Sequence, residues 1–283
     1  MEQEKQKYKQ YVPFLTEHRD CIICGEKYSN IWIKCSHNSL VMCEKCGLVW
    51  ADPHLNKDGI KLYYNGYLDN IYVIDKKSEL RKKQYEIDRK SIELFLPKKK
   101  NIKIFDLGCS NGEFLKYFDN KFLKYGFDID NAANNNNKNF FYGDLDKLPN
   151  NFKDFDVVIL RGVMQHLDNP QQYFKKIQQI IKKNGILYVY ITPNFNSFCA
   201  QVFKENWNLF DPIAYMFYFS DKTAEKFINK FGFKLIHKEF PYIDGPYCNI
   251  ENDYKCVKNL LSGIAGISPP FWGNMMNLVF RKD

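Results

Sequence analysis

The rhythm of hydrophobic and polar positions changes near residue 100. From there on, short apolar runs alternate with stretches of helical period. The runs at 102–105, 125–127, 139–142, 155–160, 186–191, 233–240 and 276–281 read as seven strands. The run 155–160 is almost wholly apolar, as expected of a parallel strand buried on both faces. Between the runs, 114–118, 171–182 and 223–231 read as helices, with Phe174, Ile177 and Ile181 on one stripe. Strands alternating with helices predict an α/β fold, a parallel sheet covered on both faces. The loop-rich stretch before 276–281 lets the last strand run antiparallel.

Ahead of this core the pattern differs. Residues 76–96 read as a helix, with Ile92, Phe95 and Leu96 at i, i+3 and i+4 and Pro97 as its stop. Lys98, Lys99 and Lys100 then read as a solvated linker. Short strands at 31–33 and 40–42 lie between two cysteine pairs. The expected organisation is a small unit over 1–60, a helical linker over 61–100 and the α/β domain over 101–283. An aromatic insertion is expected at about 195–220. The cluster Tyr63, Tyr64, Asn65, Gly66 and Tyr67 reads equally as packing between units or as a lid over a ligand. Asn134 to Asn137 reads as a solvated loop.

Composition narrows the class. The 283 residues are 45% hydrophobic and 26% charged, which excludes a disordered chain or a coiled-coil rod. The longest unbroken apolar run, 213–219, has seven residues, against the about 20 that a membrane helix requires. The charged first residues offer no apolar signal segment, so the expected location is the cytoplasm. Net charge is +8. Residues 61–105 carry twelve basic and six acidic side chains, whereas 106–160 carry six and nine. The basic excess reads as a solvated Lys-rich helix face ahead of nucleic-acid binding, since no block of five or six like charges is present, and a modest basic surface also suits a small anionic molecule.

Nine cysteines in a reducing compartment should be thiols or metal ligands. Cys21 and Cys24 form one C-x2-C pair, Cys43 and Cys46 another, 18 residues apart. Gly25 and Gly47 follow the pairs and relieve the tight turn each needs. Four thiolates complete a tetrahedral zinc site, so the pattern reads as a zinc ribbon. Four buried thiols without metal is the competing reading, and Cys35 and His37 are alternative ligands.

After the first core strand comes Asp106-Leu107-Gly108-Cys109-Ser110-Asn111-Gly112. This is neither a dinucleotide fingerprint, which requires glycine at 110 and 113, nor a P-loop, which requires G-K-[ST]. Phosphate binding is thereby disfavoured. Asp106 stands where a carboxylate would meet a cation. Asp128, 22 residues on, stands where a carboxylate accepts hydrogen bonds from a ribose diol. Asp144 and Leu145 follow the third strand, where they can serve an exocyclic amine and flank a base.

In this order the motifs resemble the class I S-adenosylmethionine-dependent methyltransferases over residues 102–240. The resemblance implies a Rossmann-like, seven-stranded methyltransferase sheet. It implies that Gly108, Cys109 and Gly112 surround the methionine part of the cofactor, that Asp128 binds the ribose, and that Asp144 and Leu145 hold the adenine. Ser110 departs from the glycine of many relatives. The wider layout of double C-x2-C, Pro53, tyrosines and core is similar to bacterial methyltransferases that modify surface polysaccharides and sugars. Those that methylate sugar carbon carry a further C-terminal domain. The resemblance therefore implies methylation at oxygen ahead of nitrogen, of a nucleotide-linked sugar or phosphate-type acceptor.

His166, just past the fourth core strand, is the candidate general base, with local hydrogen bonding as its alternative role. Tyr215 stands where relatives often have histidine and becomes a candidate donor. Arg161 suits an anionic acceptor or the cofactor carboxylate, with a surface ion pair as the alternative. Two other readings stay open. One is an RNA methyltransferase gripping RNA with the ribbon, although residues 1–60 carry eight basic and eight acidic side chains and so no excess charge. The other is a cofactor-binding scaffold without catalysis.

Overall fold

The computed structural model describes residues 8–64, 75–130, 138–149 and 152–283. Asn65, Gly66 and Tyr67 of the tyrosine cluster and the run Asn134 to Asn137 lie outside them. The N-terminal part contains β1 (Leu15–Glu17), β2 (Ser29–Lys34), β3 (Ser39–Cys43), β4 (Val49–Asp52), β5 (His54–Leu55) and helix α1 (Lys57–Tyr64). Helix α2 (Asp75–Glu93) leads into the core. There follow β6 (Lys103–Leu107), β7 (Leu123–Asp128), β8 (Phe140–Tyr142), β9 (Phe155–Arg161), α3 (Pro170–Ile180), β10 (Ile181–Pro193), α4 (Phe198–Phe203), β11 (Phe217–Tyr218), α5 (Asp221–Asn229), β12 (Phe233–Glu239), α6 (Ile250–Leu261) and β13 (Met275–Lys282).

Seven strands form one sheet in the order β12-β13-β10-β9-β6-β7-β8. Strands β10, β9, β6, β7 and β8 run parallel, and β13 is antiparallel to both β10 and β12. The period-two pattern of the strands sorts their side chains. Phe105, Leu107, Val158, Leu160, Leu187 and Val189 face one layer, packed with Phe174, Ile177 and Phe227 of α3 and α5. Ile104, Val157, Ile159, Tyr188 and Tyr190 face the other, packed with Tyr85 and Ile92 of α2. Each large side chain buried in these layers contributes roughly 1.5–3 kcal/mol.

Helix α2 is strongly polar, yet it docks through a narrow stripe at 85, 88 and 92. The Tyr188 hydroxyl donates to the Ile92 carbonyl at 2.6 Å, and Ser91 Oγ lies 2.8 Å from the Tyr190 hydroxyl. The neighbouring linker is not wholly solvated, because Lys99 Nζ lies 2.5 Å from the buried Asp156 carboxylate.

Two elements differ from the sequence expectation. The stretch 114–118 is a 3-10 turn over Phe114–Tyr117 rather than an α-helix, ended by extended backbone at Phe118. The loop-rich stretch before the last strand contains α6, whose outward face carries the exposed Ile250, Tyr254 and Leu261. Apolar residues turned to solvent hide a helix from a reading that expects them inside.

A second sheet has the order β11-β4-β3-β2. Its first strand comes from the aromatic insertion and the other three from the cysteine-bearing unit. Trp50 pairs with Phe217 and Val49 with Tyr218.

Candidate active site

Strand β6 lies between β7, the next strand in sequence, and β9, reached by crossing back. The crevice at its carboxyl end is the place where open α/β sheets take ligands. A cleft of about 320 Å³ opens there, lined by Leu107, Gly108, Ser110, Asp128, Arg161 and His166 among others.

The glycine loop is built tightly. Gly108 has φ +82° and Gly112 φ +78°. A Cβ on Gly108 would lie 2.3 Å from Val163 Cγ2, and one on Gly112 2.3 Å from Phe140 Cε1. Ser110, where glycine is more usual, also has a left-handed φ of +53°. Its amide donates to Asp128 Oδ2 at 2.7 Å, while the Asp130 amide donates to Asp128 Oδ1 at 3.0 Å. Two backbone donors therefore fix the Asp128 carboxylate at the cleft wall, each oxygen keeping acceptor capacity. Burial raises the pKa of Asp128 above the usual range, against those hydrogen bonds.

Asp106 is 2% exposed, and its Oδ1 has no partner. Burial, together with the nearby Asp128, pushes its pKa to about 7, with Arg161 opposing. A buried carboxylate without a partner beneath a ligand cleft suits a cationic ligand group. The Ser110 Oγ, on the cleft wall, is also buried without a partner.

On the opposite side, His166 Nδ1 lies 3.0 Å from the Ala214 carbonyl oxygen. That acceptor fixes the proton on Nδ1 and leaves Nε2 a bare base. Burial lowers the pKa of His166 to about 4, so the ring is neutral at neutral pH. Tyr64 and Tyr215 meet it edge-on, at ring-centroid distances of 5.9 and 4.9 Å. Arg161 Nε donates to Asp88 Oδ2 at 2.7 Å, and the guanidinium carbon sits 4.5 Å from the Tyr85 ring centroid. Gln84 Nε2 donates to the other Asp88 oxygen at 2.8 Å. The ion pair of Arg161 is thus buried rather than superficial.

The structure brings Gly108, Asp128, Arg161 and His166 to one cleft, with Asp106 under its floor. Other sequence-derived candidates stand back. The Cys109 side chain packs under the loop against Gly126, and its amide donates to Phe127 O. Gly112 shapes the loop without lining the cleft. Asp144 is exposed and accepts from the Asp146 amide at 3.0 Å, while Leu145 is buried in the core. Tyr215 lies behind His166 rather than on the wall. Sequence reasoning missed Arg81, Tyr85 and Asp88 of α2, as well as Tyr173, whereas Tyr64 of the aromatic cluster does line the cleft. Only the spacing of Arg81, Tyr85 and Asp88 along one helix face could have signalled the first three.

A second chamber of about 510 Å³ adjoins the cleft and shares Arg81 and Arg161 with it. Its walls include Leu209, Tyr242, Tyr247, Phe271 and Met275.

The four cysteines also converge. The sulfur atoms of Cys21, Cys24, Cys43 and Cys46 all lie within 4.8 Å of one another. Each pair folds in the same way: the Gly25 amide donates to the Cys21 carbonyl at 2.8 Å and the Gly47 amide to the Cys43 carbonyl at 2.9 Å. Sulfur ligands at about 2.3 Å from one ion stand roughly 3.8 Å apart, so the set fits tetrahedral metal. Cys35 and His37 are not in the cluster. Among the described residues no helix is long and apolar enough to cross a membrane.

The comparisons with known proteins agree with this architecture. A family model described as methyltransferase domain matches residues 80–238. An S-adenosylmethionine-dependent methyltransferase of Thermotoga maritima is similar in fold, with TM-score 0.51 and 18% identity over 79% of this chain and 100% of that one. A second similar structure comes from the complex of the Haloferax volcanii Trm112 methyltransferase activator with a methyltransferase, at TM-score 0.52 and 14% identity over 73% of this chain and 92% of that one. No curated protein sequence matches the chain. With its sheet order and glycine loop in place and more than half its length matched, the chain belongs to the methyltransferase domain family and has the class I S-adenosylmethionine-dependent methyltransferase fold.

Proposed function

We propose that the protein methylates an oxygen of a small anionic acceptor, a nucleotide-linked sugar or phosphate-type precursor of surface polysaccharide, and that its ribbon holds zinc. The observation that supports this reading is the boundary between the two cavities, where Arg81 and Arg161 line both. Two guanidinium groups at that boundary, that of Arg161 already paired with Asp88, can offer N–H donors to the oxygens of an acceptor entering beside the methyl donor. The rings of Tyr242, Tyr247 and Phe271 suit stacking against a base or sugar. The polysaccharide assignment rests on the layout of ribbon, tyrosines and core in the sequence.

When bound, the cofactor would supply an electrophilic methyl group on a sulfonium. Asp128 would accept from the ribose hydroxyls, and Asp106 would face the cationic amino group. His166 Nε2 takes the proton of a hydroxyl acceptor; with its pKa lowered to about 4 it is a weak base, so its contribution belongs at the low end of the typical ~10²–10⁴-fold. Arg161, held by Asp88 and stacked on Tyr85, orients the acceptor's charge. Alignment by these groups supplies the rest.

Radiolabelled methyl transfer to a nucleotide-sugar pool, compared with total RNA, tests the reading. Label in the nucleotide-sugar pool that falls at least about 100-fold in His166→Ala supports it. Label confined to RNA overturns it.

A further inference from the structure

The cysteine unit lies away from the cleft, yet both ends of the segment carrying His166 are tied to it. On one side, Met216 N donates to Gln165 O at 2.9 Å, and Ala51 N of β4 donates to Met216 O at 3.1 Å. The same insertion supplies Ala214, whose carbonyl holds His166 Nδ1, and then β11, which pairs with β4. Strand β4 begins three residues after Cys46. On the other side, Arg19 stands two residues before Cys21. Its Nη1 donates to Asp168 O at 2.5 Å, and its guanidinium carbon lies 5.0 Å from the Phe217 ring centroid. Nη2 meets His54 of β5. The cysteine knuckle is itself fastened to the core: Gln171 Nε2 donates to Ile22 O at 3.3 Å, and Lys230 Nζ donates to Ile23 O.

We propose that the cysteine ribbon is the positioning frame of the active site: β4 and Arg19 hold the 165–168 and 214–218 segments in register, and so fix the tautomer and orientation of His166. Arg19 is a positioning residue, not a catalytic one, because it touches the backbone of the His166 segment and the ring of Phe217. The inference gains its functional meaning from the reading of His166 as the base. A ribbon of this kind needs no excess positive charge and no contact with the acceptor, in keeping with the even charge balance of residues 1–60.

The test reads His166 directly and needs no acceptor. Full-length protein is labelled with ¹⁵N-histidine, and the His166 ring signals are identified by their loss in His166→Gln. The wild type should show one tautomer, with a protected proton on Nδ1. In Arg19→Met, with metal content unchanged, the signals should shift to a tautomer mixture and exchange should quicken by about tenfold or more. Arg19→Lys should restore part of the protection. Calorimetric affinity for S-adenosylmethionine should change less than about twofold in either variant. Folded Arg19→Met protein that keeps the wild-type tautomer and protection overturns the proposal. Should Arg19→Met not fold, Arg19→Lys and Phe217→Leu carry the same readout, and wild-type signals in both overturn it. Failure of the base reading would show separately, as unchanged turnover in His166→Ala.

Discussion

The two walls of the cleft are made differently. The donor wall is made largely of backbone, from the loops that follow β6 and β7. Gly108 and Gly112 hold left-handed turns, Ser110 joins them at φ +53°, and two amides fix the Asp128 carboxylate. The acceptor wall is made of side chains from distant segments. Arg81 and Asp88 come from α2, Arg161 from the end of β9, His166 from the turn after it, and the carbonyl that orients His166 from the insertion. A backbone-built wall tolerates few residue types, because sterics forbid the rest. A side-chain wall can change its chemistry without disturbing the sheet. The family's common cofactor would belong to the first wall, and this chain's own specificity to the second.

The largest effect that can break this contrast is expected at Arg161. Arg161→Met strands the Asp88 carboxylate, whose side chain is wholly buried, and breaking one partner of such a pair costs about 3–5 kcal/mol. Thermal denaturation should show it, and the double variant with Asp88→Leu should recover much of the loss. If Arg161→Met leaves the melting temperature unchanged, the acceptor wall does not depend on that pair.

Gly108→Ala attacks the donor wall instead. Its Cβ would collide with Val163, and its φ is left-handed. Strain of about 3 kcal/mol should weaken S-adenosylmethionine binding roughly 100-fold by calorimetry. Binding within a few fold of wild type would show that the loop has slack.

Asp106 gives an effect that depends on pH. Its folded pKa of about 7 lies above the unfolded value near 3.9. Its contribution to stability is therefore present below about pH 4 and is lost as pH rises through 7. Asp106→Asn should flatten that decline in denaturant titrations. A cationic ligand group over Asp106 favours the ionised form. Cofactor affinity should then rise by up to about tenfold per pH unit below 7, with proton release seen by calorimetry in buffers of different ionisation heat. Equal affinity at pH 5.5 and 7.5 would remove Asp106 from the site.

The smallest expected effect is at Ser110. Ser110→Gly relieves a left-handed φ worth roughly 1 kcal/mol and should raise the unfolding midpoint slightly. A fall would mean that the serine hydroxyl has a partner in the working protein.

The same contrast explains what the sequence made legible. The central strands β6, β9 and β10 were readable because their apolar runs face cores on both sides, and the edge strands β8 and β12 only from their position in the alternation. The glycine loop and Asp128 were readable because steric demands leave a short, ordered signature. The cysteine cluster was readable from two C-x2-C-G pairs. The acceptor wall was hardly readable. Arg81, Tyr85 and Asp88 lie in a helix whose polar composition looks merely solvated, and Asp88 is buried only because Arg161, 73 residues away, meets it. The pairing of β4 with β11 joins segments more than 160 residues apart, and nothing local marks it. Asp144 and Leu145 had a family position, but their side chains went to a turn cap and to the core.

The central claim is that the carboxylate-rimmed glycine loop holds a sulfonium cofactor rather than a dinucleotide. Calorimetric titration of the full-length protein and its Asp128→Ala variant with S-adenosylmethionine, and separately with NAD, tests it most directly. The account predicts saturable S-adenosylmethionine binding that Asp128→Ala weakens by at least about tenfold, and no heat from NAD. Binding of NAD, or S-adenosylmethionine affinity unchanged in Asp128→Ala, would contradict it.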